Sequence, residues 1–287
     1  MAQLTLHIGA HRTATNSLQA TLRRLFEAGK LGDMAYFGPY RLRPRFSVTM
    51  LGISKAPTLA RAIPLRLLSR DLAAALRSDQ PVLYSEEASL GRVDATLLKG
   101  RGLYPTAAAH LQALHTMLGV KNARVVLSVR SPAAWYPSAY AMASLRRKLP
   151  PIETLAPQWA AAERGWHEIA HSVRDIFGSC EIFQYETLRD SPTALIAALV
   201  GSPVNDIRMP HTNQSHSADV IQKIAAERSA GRKATRAVAN AFQSAAPNAA
   251  AHRLALPTDI AGMMEARYQA ELSAMRANKF QFINPTP

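Results

Sequence analysis

The chain has 287 residues, in which 34 Lys and Arg against 20 Asp and Glu leave a formal net charge of +14. The whole excess lies in residues 1–150, with 21 basic and 7 acidic side chains, whereas residues 151–287 hold 13 of each. An apolar fraction of 48% excludes a disordered chain, and the single cysteine, Cys180, excludes an intramolecular disulfide and a cysteine-based zinc site.

The opening residues MAQLTLHIGA have neither a basic n-region nor a long apolar core, so no signal peptide is expected. No window approaches the roughly 18 uncharged apolar residues of a membrane span, and the expectation is a cytoplasmic protein. The charge predicts affinity for something anionic without saying what.

Leu4 to Ile8 reads as a buried strand ending at Gly9. From Thr15 to Ala28, Leu18, Leu22, Leu25 and Phe26 share one helix face, with Gly29 as the stop. The basic stretch Arg41-Leu42-Arg43-Pro44-Arg45 reads as loop. Pro81 to Ser85 is a second strand, and a helix from about Leu103 to Leu118 leads through Gly119 into a third, Ala123 to Val129. Ser131-Pro132 supplies an N-cap and a first-turn proline. A fourth strand, Glu181 to Tyr185, precedes a helix opened by Asp190-Ser191-Pro192. After Gly201 the strand signals stop; residues 217–245 and 258–277 read as helices joined around Pro247. Strands separated by helices imply right-handed βαβ units and a parallel sheet covered on both faces, in α/β class.

The N-terminal unit LTLHIGAHRTATNSLQ carries the first chemical signal. A strand runs into Gly9, then a loop of small and hydroxyl residues, then a helix opening on Thr15, Asn16 and Ser17. Such a junction aims free N–H groups and the positive helix end at one spot, where Arg12 adds charge and Thr13 and Thr15 add hydroxyls. The alternative is an ordinary βα turn. A Walker A loop is disfavoured, since Ala14, Thr15 and Asn16 stand where Gly, Lys and Ser or Thr belong. No later strand ends in an obvious Walker B aspartate either.

The second signal is ARVVLSVRSPAAWYPSAY, whose strand ends in Arg130, with Ser138 eight residues on. An arginine at the C-terminal edge of a parallel strand sits where open α/β sheets bind ligands, and its fork suits phosphate. Taken alone, Arg130 equally suits a surface ion pair.

Together these segments resemble sulfotransferases that use 3′-phosphoadenosine-5′-phosphosulfate (PAPS). HIGAHRTATNSLQ is similar to the family's 5′-phosphosulfate loop, and VVLSVRSPAAWYPSAY to its 3′-phosphate motif. PVLYSEEASLG resembles the strand ending in Ser-Glu of the bacterial, carbohydrate-sulfotransferase-like branch, and EIFQYETLRDSP the family's strand with Tyr-Glu-x-Leu. The four occur in family order over residues 4 to about 200; MPHTNQSHSAD matches only loosely. Two departures stand out. The family lysine is Arg12, and the glycine two residues on is Ala14, which matters if that position needs a positive φ.

The resemblance implies a three-layer α/β/α fold with a mainly parallel sheet and a P-loop-like phosphosulfate-binding strand–loop–helix. Residues 1–287 would form one domain, with 1–203 as nucleotide-binding core and 204–287 as a helical C-terminal section. It implies transfer of a sulfuryl group from PAPS, without a metal, to a hydroxyl or amine of a small-molecule, lipid or carbohydrate acceptor, leaving 3′,5′-adenosine bisphosphate (PAP). The loop His11 to Ser17 (His11, Arg12, Thr13, Ala14, Thr15, Asn16, Ser17) would hold the 5′-phosphate and Arg12 would neutralise the leaving group. Arg130 and Ser138 would hold the 3′-phosphate.

Glu86 is the candidate base and Glu87 the second. Because adjacent strand residues face opposite ways, at most one is expected to enter the cleft. An N-cap and a surface carboxylate are the alternative, and His11 is a further candidate base. His7 reads as core, and so do Trp135 and Tyr136, with contact to the adenine as the alternative. His211 and His216 lack nearby carboxylates, so no metal site is expected. Arg146-Arg147-Lys148 and Arg232-Lys233 read as solvated faces, with steering of an anionic acceptor as the alternative. Two other function classes stand beside the leading one. One is a sulfotransferase-like protein that binds nucleotide without turnover. The other is a basic module for an anionic polymer or lipid, although no nucleic acid partner is expected.

Overall fold

The computed structural model describes residues 3–43, 70–189, 191–204, 207–210, 215–232, 234–245 and 253–284. Arg45, Lys233, His211 and the link around Pro247 lie outside the described residues.

The apolar run from Leu4 forms β1 (Leu4–Gly9), and the amphipathic segment after it forms α1 (Thr15–Glu27). Next come β2 (Ala35–Phe37), α2 (Pro39–Leu42) and α3 (Arg70–Arg77). Then follow β3 (Val82–Ser85), a 3-10 turn (Glu87–Leu90), α4 (Val93–Leu98) and α5 (Ala107–Leu118). β4 (Arg124–Val129) leads into α6 (Pro132–Ser144), α7 (Ile152–Ala161) and α8 (Trp166–Phe177). β5 (Glu181–Gln184) passes through a 3-10 turn (Tyr185–Arg189) into α9 (Pro192–Val200). The C-terminal section holds α10 (Ala218–Ser229), α11 (Arg236–Ala245), α12 (Thr258–Ala277) and β6 (Gln281–Phe282).

The fold is α/β, built on a six-stranded sheet in the order β2-β3-β1-β4-β5-β6 with every pairing parallel. Strand alternation separates two apolar clusters. Leu4, Leu6 and Ile8 of β1 and Val125 and Leu127 of β4 join a large cluster with α5, α6, α8 and α12. Val126 and Leu83 join Leu18 and Leu22 of α1 and Leu195 and Leu199 of α9 in the other. From β1 the chain crosses to β2 and β3 on one side and then passes back to β4 on the other. The C-terminal end of β1 is therefore a topological switch point, where open α/β sheets bind ligands.

The structure corrects several element assignments. β2 and β6 were absent from the periodicity; β6 pairs with β5, so the C-terminal section closes on the sheet rather than being helical throughout. The helix expected over 217–245 breaks after Ser229, where Gly231 takes φ 74°. The helix expected from Leu103 starts at Ala107, because Leu103 N–H donates to the Arg164 carbonyl and Tyr104 takes φ 43° just before Pro105. Arg41 and Leu42, expected in a loop, form the end of α2. Among the described residues, no helix is long and apolar enough to cross a membrane.

Candidate functional site

The loop between β1 and α1 lies at the switch point. Gly9 is required there, because a Cβ would fall 2.3 Å from Thr15 Oγ1 and 2.8 Å from His7 Cε1. Two loop residues take left-handed backbone, Arg12 at φ 68° and Ala14 at φ 56°, and Ala14 is the N-cap position of α1. The Ala14 carbonyl accepts from Ser17 N–H at 2.9 Å and Leu18 N–H at 3.0 Å. Thr13 Oγ1 donates to the Ala10 carbonyl at 2.6 Å and lies 3.1 Å from Thr15 Oγ1, so the two hydroxyls brace the turn from within. Among the described residues, the N–H groups of Ala14, Thr15 and Asn16 donate to no protein acceptor. That is the open end of a 13-residue helix.

Arginines gather beside this open end. Arg12 Nε donates to Ser138 Oγ at 2.8 Å and its Nη2 to Ser215 Oγ at 2.6 Å, with the two hydroxyls 3.0 Å apart. Arg130 Nη1 donates to the Arg12 carbonyl at 2.7 Å, and its guanidinium lies 4.5 Å from the Tyr185 ring centroid. Arg130 Nε is buried with no hydrogen-bond partner among the described residues. Burial, and then Arg130, with Arg236 and Arg253 adding to it, pushes Arg12 down to about 10, still charged at neutral pH. Arg130 is also lowered, by burial first.

The aromatic residues support the site by their polar edges. Trp135 Nε1 donates to the His11 carbonyl at 2.6 Å, and Trp166 Nε1 to the Arg130 carbonyl at 2.7 Å. The Tyr104 hydroxyl accepts the His11 backbone N–H at 2.8 Å and lies 3.0 Å from His11 Nδ1. His11 therefore withholds its own amide from the cradle, and burial lowers its ring pKa to about 4. Trp135 and Tyr136 are core residues, as expected. Glu186 of the Tyr-Glu-x-Leu segment accepts Ser131 N–H at 2.8 Å and the Tyr268 hydroxyl at 3.2 Å, anchoring the start of α6 beside Arg130.

At the end of β3 the strand alternation expected to part the two glutamates does not apply, while the N-cap expected as the alternative is present at Glu86. The strand stops at Ser85, so the pleat no longer separates Glu86 from Glu87, and both buried carboxylates meet on Arg43. Glu86 Oε2 accepts from Arg43 Nε at 3.2 Å, and its Oε1 accepts Ala88 N–H at 3.1 Å, capping the 3-10 turn. Glu87 accepts from Arg43 and from Gln19 Nε2, the latter at 3.1 Å. Burial, then Glu87, raises the Glu86 pKa. Burial works against the Glu87 charge as well, but His11 and Arg43 hold that carboxyl below the usual range.

The structure thus brings Arg12, Arg130 and Ser138 together, with Thr13, Ala14, Thr15 and Asn16 around the helix end. Glu86 and Glu87 sit at the end of β3, with Glu87 near enough to His11 of the loop to feel its charge. The fold joins Arg12 to Ser138 directly, whereas the sequence reading put them at separate phosphates. Sequence reasoning missed Arg43, which follows directly on α2, as well as Ser215 and Tyr185; the Tyr-Glu-x-Leu segment was the available signal for Tyr185. Comparison with protein-family models finds no match for this chain. A search of curated proteins also returns none.

Proposed function

We propose that the protein is a PAPS-dependent sulfotransferase. The observation that carries the reading is the pairing of two unsatisfied donor sets: the amides of Ala14, Thr15 and Asn16 at the start of α1, and the buried Nε of Arg130 beside them. Orphaned donors and guanidinium groups at one helix N-terminus suit a dianionic phosphate. A nucleotide with both a 5′- and a 3′-phosphate would use the two sets at once. The P-loop-like turn would take the 5′-phosphosulfate through these amides and through Ser17, with the Thr13 and Thr15 hydroxyls holding the turn in shape from within. Arg130 and Ser138 would take the 3′-phosphate.

When bound, PAPS supplies a sulfuryl group already activated by its phosphate leaving group. Arg12 exchanges the Ser138 and Ser215 hydroxyls for phosphate oxygens, a stronger charge-assisted pairing, and neutralises the departing charge. Glu86 or Glu87 removes the acceptor proton. Arg43 holds that carboxylate pair until the acceptor arrives. The acceptor is an alcohol or amine of a small molecule, lipid or sugar.

Calorimetry with 3′,5′-adenosine bisphosphate beside AMP tests the nucleotide reading. Clear preference for the bisphosphate is expected, and equal affinity overturns the roles of Arg130 and Ser138. Labelled PAPS turnover should collapse in Arg12→Ala; full activity there refutes the loop assignment. A second reading, binding without turnover, is favoured by the engagement of Arg12 with Ser138 and Ser215. Tight bisphosphate binding with no turnover in any acceptor mixture decides for it.

A further inference from the structure

His7 takes no part in the transfer chemistry proposed above, yet its ring spans three neighbouring strands. Nδ1 lies 2.9 Å from Ser85 Oγ of β3, and Nε2 lies 3.0 Å from Ser128 Oγ of β4. Complete burial lowers its pKa to about 4, so at physiological pH the ring is neutral and one nitrogen carries the hydrogen. Gln19 Nε2 donates to Ser85 Oγ at 3.3 Å. Taking the Ser85 hydroxyl as the donor to Nδ1 puts the ring hydrogen on Nε2, pointing to Ser128. The same Gln19 amide donates to Glu87 Oε2 at 3.1 Å.

On the other side the ring meets the loop. A Cβ on Gly9 would lie 2.8 Å from His7 Cε1 and 2.3 Å from Thr15 Oγ1, so imidazole and threonine hydroxyl converge on one point under the turn. Thr15 Oγ1 in turn donates to the Ala10 carbonyl at 3.2 Å. A purely apolar ring would fill this space but leave the buried Ser85 and Ser128 hydroxyls without it as partner.

We infer that His7 is a positioning residue that couples the two halves of the site: it sets the Thr13–Thr15 turn and, through Ser85 and Gln19, the Glu87 carboxylate. The half that concerns the turn rests on the nucleotide reading above; the half that concerns Glu87 does not.

The test compares wild type with His7→Phe, which fills the space, and His7→Gln, which restores a donor and an acceptor. Binding of 3′,5′-adenosine bisphosphate is expected to weaken about tenfold in His7→Phe and to stay within about threefold of wild type in His7→Gln. In protein carrying ¹³C-labelled glutamate, the Glu87 carboxyl carbon is expected to titrate at higher pH in His7→Phe, and ¹⁵N shifts should show the Nε2–H tautomer of His7. An unchanged Glu87 titration in folded His7→Phe overturns the inference. If wild type does not bind the bisphosphate, the nucleotide reading and the turn half fall, while the Glu87 titration still decides the rest. If His7→Phe does not fold, the wild-type ring decides, and an Nδ1–H tautomer overturns the proposal.

Discussion

Ala14→Gly should make the protein more stable. Ala14 sits at φ 56° and ψ 17° at the N-cap of α1, without a side-chain cap bond. It cannot relax out of this region, because its carbonyl serves Ser17 and Leu18 and so starts the helix. A Cβ in left-handed backbone costs about 1–2 kcal/mol. Glycine gives back about 0.5–1 kcal/mol through the greater freedom of the unfolded chain. The partly buried Ala14 methyl, packed at the edge of the α1–α9 cluster, offsets a little more. The net expectation is a stabilisation of about 0.5 kcal/mol, or a midpoint higher by about 1–2 °C. Urea denaturation and thermal scans of wild type, Ala14→Gly and Ala14→Val measure it. Valine, branched at Cβ, should lose stability at the same position. A lower midpoint for glycine, or a valine variant as stable as wild type, would refute the left-handed assignment and the strain derived from it.

Gly9→Ala should destabilise by about 1–3 kcal/mol, since its methyl would press on Thr15 Oγ1 and His7 Cε1, and bisphosphate binding should fall with it. Denaturation beside calorimetry checks both, and a neutral outcome would mean that the turn is looser than described. Arg43→Met removes the cation shared by two buried carboxylates and should make the protein take up a proton near neutral pH. Potentiometric titration against wild type reads that uptake, and identical curves would dismiss Arg43 as their counter-ion. For pH dependence, the folded-state pKa of His7 lies below its unfolded value of 6.5, at about 4. The stability it contributes is complete above pH 6.5 and is lost as pH falls toward 4, by about 3 kcal/mol. Folded His7→Gln should show a shallower decline in urea midpoint over this window, and a parallel decline would contradict a neutral ring.

The sheet and the loop were legible because their signals are local. Leu4 to Gly9 and Arg124 to Val129 are apolar runs bounded by glycine or by Arg130, and α1 keeps a clean period of 3.6. β2 and β6 are three and two residues long, too short for alternation to show, and they exist only because β3 and β5 offer edges to pair with. The loop amides and Arg130 follow from motif spacing. Arg43, Ser215 and the shared placement of Glu86 and Glu87 do not, because a strand's exact end and a contact across 203 residues are decided by the tertiary fold. The positive φ of Ala14 was posed by the sequence as a question, and only the backbone answers it.

The bond between Arg12 and Ser215 also bears on how the protein is made. Ser215 follows Arg12 by 203 positions, so at roughly 5–20 residues per second it emerges from a ribosome about 10–40 s later. Until Ser215 emerges, the Arg12 guanidinium lacks one of the two serine hydroxyls it donates to in the folded protein. Polyanions are abundant around a ribosome, and the loop that bears Arg12 can meet them first. The site is thus completed late in synthesis although its loop is written early, and chain fragments that stop short of Ser215 would display a sticky basic loop rather than a selective one.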